Sequence, residues 1–86
     1  MLPVDRIRYQ LREARNRFHK PRFVKVATRL LAEAMCEERR NTGAATEDAL
    51  KRRYGFKAEE LAACRDGALD LATARYLPAG LDPATG

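Results

Sequence analysis

The fold is decided by residues 23–36, which read FVKVATRLLAEAMC. Their apolar residues recur at the three- and four-residue spacing of an α-helix with one broad apolar face. Lys25, Arg29 and Glu33 interrupt this stretch, so it is too polar to span a membrane. We therefore expect an amphipathic helix at the centre of a buried core, and no membrane span.

This central helix is predicted from about residue 22 to about residue 40. Arg39 and Arg40 would lie in its last turn, where positive charge suits the negative end of the helix dipole. The Asn-Thr-Gly sequence at 41–43 follows directly, and such a sequence is typical of a helix C-terminus.

A first helix is predicted over about residues 3–19. Pro3 suits its first turn, because a missing N–H costs nothing there. Apolar residues at helical spacing form one stripe along it: Val4, Ile7, Leu11, Ala14 and Phe18. Pro21 would close this helix, since the residue before a proline is disfavoured in helical geometry.

Two further helices are predicted, over about residues 46–54 and 58–76. Thr46 is a suitable N-cap for the shorter one, and Gly55 would end it in the left-handed conformation. Residues 78–86 contain two prolines and no apolar period, so we expect them to form a flexible tail.

No alternating pattern long enough for a β-strand is present in the sequence. A chain of 86 residues is long enough for one domain. The prediction is therefore an all-α bundle of about four helices, forming a single domain over residues 1–77.

Residues 46–64 resemble a helix-turn-helix, in which two helices meet at a steep angle across a tight turn. Apolar residues stand at the positions that would face the inside of this motif: Leu50, Tyr54, Phe56, Leu61 and Cys64. Its second helix would present Glu59 and Glu60 to DNA, where phosphates repel carboxylates. The resemblance therefore predicts a shape, and shape alone assigns no function.

The charge of the chain is concentrated near its N-terminus. The first 25 residues contain eight basic and two acidic residues, and the remainder contains nine basic and ten acidic residues. The net charge of +5 thus arises entirely from the first third. Such asymmetry indicates an anionic partner.

Six basic side chains are predicted to form a nucleic-acid-binding surface: Arg8, Arg12, Arg15, Lys51, Arg52 and Arg53. The first three share one flank of the predicted first helix, and the last three form a basic cluster beside Gly55. Guanidinium groups bind phosphate oxygens with two parallel hydrogen bonds. Nucleic acid, and DNA in particular, is therefore the expected partner.

A protein partner is the alternative prediction. The arginine flank could meet an acidic protein, and the apolar stripe of the first helix, which fits two coiled-coil heptads, could complete a homodimer interface. The arginines could instead be neutralised within the protein by acidic residues of the predicted fourth helix: Glu59, Glu60, Asp66 and Asp70.

The residue inventory argues against an enzyme. The chain has no serine and His19 is its sole histidine, so a Ser–His–Asp triad cannot form. Cys36 and Cys64 are 28 positions apart, without the close pairing typical of zinc ligands. We therefore expect no metal and no cofactor. The N-terminal sequence lacks the apolar core of a signal peptide, so a cytoplasmic location is expected.

Overall fold

The computed structural model describes residues 2–72 of the chain, and four α-helices account for most of them. These are α1 (Pro3–Arg17), α2 (Lys20–Thr42), α3 (Glu47–Tyr54) and α4 (Ala58–Leu71). No β-strand is present between residues 2 and 72. The predicted all-α class is confirmed.

Helix α2 is the centre of the bundle, because α1, α3 and α4 all pack against it. Leu30, Leu31 and Ala34 of α2 are fully buried, as the apolar face of residues 23–36 predicts. The three outer helices complete one continuous core around them.

The junction between α1 and α2 differs from the prediction. Helix α1 ends at Arg17 rather than residue 19, and α2 begins at Lys20 rather than residue 22. Phe18 and His19 are extended and form the break between the two helices. Pro21 lies in the first turn of α2, where its ring requires no N–H partner.

The C-terminus of α2 extends to Thr42, two residues beyond the prediction. Gly43 then adopts the left-handed conformation with a φ of 87°, and its N–H donates to the carbonyl of Arg39 at 2.9 Å. Helix α2 thus ends at the predicted glycine and includes the two residues before it, Asn41 and Thr42.

Helix α3 is short and capped at both ends. The Thr46 hydroxyl accepts a hydrogen bond from the N–H of Ala49 at 3.2 Å, which confirms the predicted N-cap. Gly55 ends the helix with a φ of 83°. The prediction extended the fourth helix to residue 76, and its residues 73–76, like the predicted tail 78–86, lie outside the described residues.

A three-residue turn, Gly55 to Lys57, joins α3 to α4. The residues predicted to face the inside of the helix-turn-helix are all buried: Leu50, Tyr54, Phe56, Leu61 and Cys64. Both helices pack on α2 more extensively than on each other. The pair therefore has the predicted helix-turn-helix connection, with α4 packed on α2 and α3 packed on both α1 and α2.

Candidate nucleic-acid interface

The flank of α1 that faces α3 carries two exposed arginines, Arg8 and Arg12, one helical turn apart. Their positions follow from the buried stripe of Ile7, Leu11 and Ala14, which fixes the rotation of α1 against α2. Neither Arg8 nor Arg12 forms an ion pair or a side-chain hydrogen bond within residues 2–72. We refer to these two residues as the α1 arginine pair.

Arg15 lies on the same flank but is engaged by the protein itself. Its Nε donates to Glu60 Oε2 at 2.8 Å, and its Nη2 donates to Glu60 Oε1 at 2.7 Å. Nη2 also donates to the carbonyl of Gly55 at 3.2 Å. This bidentate contact ties the C-terminal half of α1 to the turn between α3 and α4.

Glu60 is largely buried and has a second structural role. One of its carboxylate oxygens also accepts the backbone N–H of Lys57 at 2.9 Å, which caps the start of α4. Burial raises the pKa of Glu60, but the hydrogen bonds from Arg15 and Lys57 oppose it, and the net pKa is lowered. The same hydrogen bond raises the pKa of Arg15 against the effect of its own burial.

The structure shows that Glu60 of α4 neutralises the charge of Arg15 within the protein, which is one of the predicted alternatives. Its donors already contact Glu60 and Gly55, so a phosphate would have to compete with a partly buried ion pair. Of the three arginines predicted on this flank, only Arg8 and Arg12 have guanidinium groups with no protein partner among residues 2–72.

The three basic residues of α3 also differ in whether their acidic partner is exposed or buried. Lys51 contacts Glu47 at 3.7 Å and Arg52 contacts Asp48 at 2.9 Å, both as exposed pairs one turn apart. Exposed pairs of this kind contribute about 0.3–0.5 kcal/mol each. These two side chains therefore stay at the surface and can exchange a carboxylate for a phosphate at little cost.

Arg53 has a more deeply placed partner. Its Nε lies 3.4 Å from an oxygen of Glu38, a carboxylate that is only 1% exposed. The hydroxyl of Tyr54 donates to the same Glu38 oxygen at 3.2 Å. Burial raises the pKa of Tyr54, and the negative charge of Glu38 raises it further.

The sequence predicts a polar helix end at Glu38, and the structure buries this residue instead. A signal is nevertheless present. Glu38 follows Leu31, Ala34 and Met35 at spacings of seven, four and three, and so continues the apolar face of α2. A carboxylate at such a position requires partners, which Arg53 and Tyr54 supply.

The structure shows a second group of exposed cations, which the sequence analysis does not predict as one surface. Arg22, Lys25 and Arg29 lie along the N-terminal half of α2, and none forms an ion pair in the described part of the chain. We call these three residues the α2 ridge. The signal in the sequence is the absence of any acidic residue from position 14 to position 32.

Three further observations concern a groove, membrane spans and metal sites. A groove of about 630 Å³ lies between Arg22 and Lys25 of the α2 ridge and Gly67 and Leu71 of α4. Within residues 2–72, no helix is both long and apolar enough to cross a membrane. No three His, Cys, Asp or Glu side chains of that range are grouped as a metal site requires.

Comparisons with protein-family models, with curated proteins and with solved structures find no match to this chain.

Proposed function

We propose that the protein is a small, non-enzymatic nucleic-acid-binding protein that contacts the phosphate backbone of duplex DNA. The observation that carries this proposal is the α1 arginine pair. Two positive charges one turn apart destabilise a helix by a few tenths of a kcal/mol, and within residues 2–72 no acidic side chain pairs with them. A row of phosphates would relieve that repulsion.

The basic cluster of α3, Lys51 to Arg53, lies on the helix next to this flank of α1. Arg15 follows the α1 arginine pair on its flank and contacts Gly55, the residue that ends α3. This contact brings the exposed flank of α1 next to the helix that carries Lys51, Arg52 and Arg53. Our proposed phosphate contacts are Arg8, Arg12, Lys51 and Arg52; Arg15 and Arg53 keep their contacts with Glu60 and Glu38.

Base reading by α4 is not part of the proposal. Glu60, which the helix-turn-helix resemblance would place at a DNA-facing position, is largely buried and bound to Arg15. Glu59 is exposed beside it and would repel phosphate. Binding is therefore expected to depend on charge and salt rather than on sequence. A cytoplasmic location accords with such a partner.

The experiment is fluorescence anisotropy of a labelled mixed-sequence DNA duplex at 50 and 200 mM salt. We expect the affinity to fall by about two decades or more between these conditions, because several counterions are released on binding. A protein that leaves the duplex unbound at 50 mM salt overturns the proposal. An acidic protein would then be the expected partner.

Two charge-matched variants locate the surface. Arg8→Gln with Arg12→Gln should weaken duplex binding at least about tenfold. Arg40→Gln with Arg65→Gln removes the same charge elsewhere on the surface and should change affinity less than about threefold. Equal losses in the two variants would mean that net charge, and not the α1 arginine pair, determines binding.

The apolar stripe of α1, on which the homodimer alternative rests, is buried within the protein. Ile7, Leu11 and Ala14 of the α1 stripe are at most 2% exposed and pack within the protein's own core. A dimer formed through this stripe would require α1 to leave α2.

A further inference from the structure

We propose that the protein bridges two nucleic-acid segments, with the α2 ridge as a second phosphate-binding surface. The inference rests on the proposed function, because it assumes that the α1 arginine pair and the α3 cluster hold the first segment. The ridge lies on the side of α2 opposite to the α3 cluster, and each surface carries exposed positive charge.

The geometry of the ridge follows from its spacing. Arg22, Lys25 and Arg29 are separated by three and four residues, so they lie within about 60° of one another around the α2 axis. All three are exposed. They therefore form a single row of positive charge along about two helical turns.

Arg22 is held in place by an aromatic ring. Its guanidinium carbon lies 5.5 Å from the centroid of the Phe18 ring, within cation–π distance. The side chain remains exposed, so the contact orients the guanidinium without covering it. An oriented guanidinium loses less conformational entropy when it binds a phosphate.

Acidic residues near the ridge do not neutralise it. Glu13 pairs with Arg17, and Glu33 pairs with Arg6. On α4, across the groove, Asp66 forms no ion pair with the ridge in the described residues, and neither does its neighbour Asp70. The row of cations therefore keeps its positive potential.

The ridge faces away from the α3 cluster of the first surface. Glu38 marks the side of α2 that contacts α3, through Tyr54 and Arg53. Arg22 and Arg29 are 16 and nine residues before Glu38, which places them about 160–180° around the α2 axis from it. The ridge and the α3 cluster consequently lie on opposite sides of α2.

The separation of the two surfaces permits both to be occupied. Each helix is about 10 Å in diameter, so surfaces on opposite sides of two helical layers are about 20 Å apart. This exceeds the Debye length of about 8 Å at physiological salt. The repulsion between two bound duplexes is therefore largely screened, and each duplex meets its own set of cations.

The test is energy transfer between two duplexes of the same sequence, one labelled with a donor dye and the other with an acceptor. Added to their mixture at 50 mM salt, the full chain should produce energy transfer that a large excess of unlabelled duplex abolishes. Anisotropy of a single labelled duplex, measured in parallel, reports binding without bridging.

A variant of the α2 ridge distinguishes the contributions of the two surfaces to bridging. Lys25→Gln with Arg29→Gln leaves the Arg22–Phe18 contact intact and should reduce energy transfer at least fivefold, while single-duplex affinity changes less than about threefold. The charge-matched variant Arg40→Gln with Arg65→Gln should retain the transfer. Bridging through two copies of the chain that use only the first surface would survive the ridge variant.

Each outcome decides a different claim. Single-duplex binding without energy transfer overturns the bridging inference and leaves the proposed function intact. Transfer that the ridge variant does not reduce also overturns it. If the full chain binds no duplex in either assay, the proposed function fails, and the bridging inference fails with it.

Discussion

At the scale of the residue, an arginine on the α3-facing flank of α1 is available to a phosphate only if no carboxylate of the protein already pairs with it. Periodicity in the sequence places Arg8, Arg12 and Arg15 on one flank, but it does not show which of them meets a carboxylate. Arg15 does, because the turn at Gly55 brings the start of α4 against it. That pairing joins residues 45 positions apart, and no local pattern contains it.

Replacing Glu60 by Gln should lower the free energy of unfolding by about 1–3 kcal/mol at neutral pH, because a charge-assisted bidentate contact is lost. Folding lowers the pKa of Glu60, so its contribution is present above its unfolded pKa of about 4.3 and is lost as the pH falls below it. Chemical denaturation at pH 7 and pH 3 should show a smaller difference in stability for Glu60→Gln than for the wild type.

The exposed neighbour Glu59 provides the control. Glu59→Gln keeps the Arg15–Glu60 contact and should change the free energy of unfolding at pH 7 by less than about 0.5 kcal/mol. Equal effects of the two substitutions would show that the Arg15–Glu60 contact contributes nothing specific.

Replacing Tyr54 by Phe should lower the free energy of unfolding by about 1 kcal/mol, because Glu38 loses the hydrogen bond from the Tyr54 hydroxyl and keeps its ion pair with Arg53. Folding raises the pKa of Tyr54, so its stabilising effect is present below its unfolded pKa of about 10 and is lost as the pH rises above it. Denaturation at pH 8 and pH 10.5 should therefore show less alkaline destabilisation in Tyr54→Phe. An unchanged difference would contradict the Glu38 contact.

At the scale of the element, helix caps and prolines determine where each helix begins and ends. Thr46 and Gly55 could be identified from the sequence, because each acts through local backbone geometry. The α1–α2 junction could not be placed as well. A proline is compatible with both the end of one helix and the first turn of the next, and the packing of α1 on α2 selects the second.

Helix α3 should depend strongly on its N-cap, because it has only eight residues. Thr46→Ala removes the acceptor for the Ala49 N–H and should lower the free energy of unfolding by about 1 kcal/mol. Thr46→Ser keeps a hydroxyl and should stay within about 0.3 kcal/mol of the wild type. Thermal or urea denaturation distinguishes the two, and an equal loss in both would exclude the cap as the cause.

Gly67 of α4 is close to Thr28 of α2, and the two positions should be energetically coupled. A Cβ atom at residue 67 would lie 3.1 Å from the Thr28 methyl carbon. Alanine is favoured over glycine within a helix by about 1 kcal/mol, but that contact opposes the gain. Gly67→Ala should therefore be more stabilising in a Thr28→Ser background, which lacks the methyl group. A double-mutant cycle of unfolding free energies with no coupling would contradict this packing.

At the scale of the whole molecule, ion pairing divides the positive charge into two classes. The sequence shows that the excess lies in the first 25 residues, and this asymmetry leads to the nucleic-acid hypothesis. It does not show that α2 and α4 supply ion-pair partners for Arg6 and Arg15, whereas Arg8 and Arg12 have none in the part of the chain that the structure describes. Only the packing of α1 on the other helices makes that distinction.

The α2 ridge illustrates the same limit. Its residues are easily read as polar interruptions of an apolar stretch, and their spacing places them on one face. That this face points away from α3 follows from the contacts of Glu38, which no local pattern supplies. The fold class was therefore predictable from apolar periodicity, and the distribution of free charge was not.

The central claim is that unpaired arginines of α1 contact phosphates, and the salt dependence of duplex affinity tests it most directly. Each phosphate contact contributes about 0.9 to the slope of log affinity against log salt concentration. Arg8→Gln with Arg12→Gln should therefore reduce the magnitude of the wild-type slope by about 1.8, while Arg40→Gln with Arg65→Gln should leave it unchanged. A slope that is the same in the wild type and the Arg8/Arg12 variant would contradict the claim.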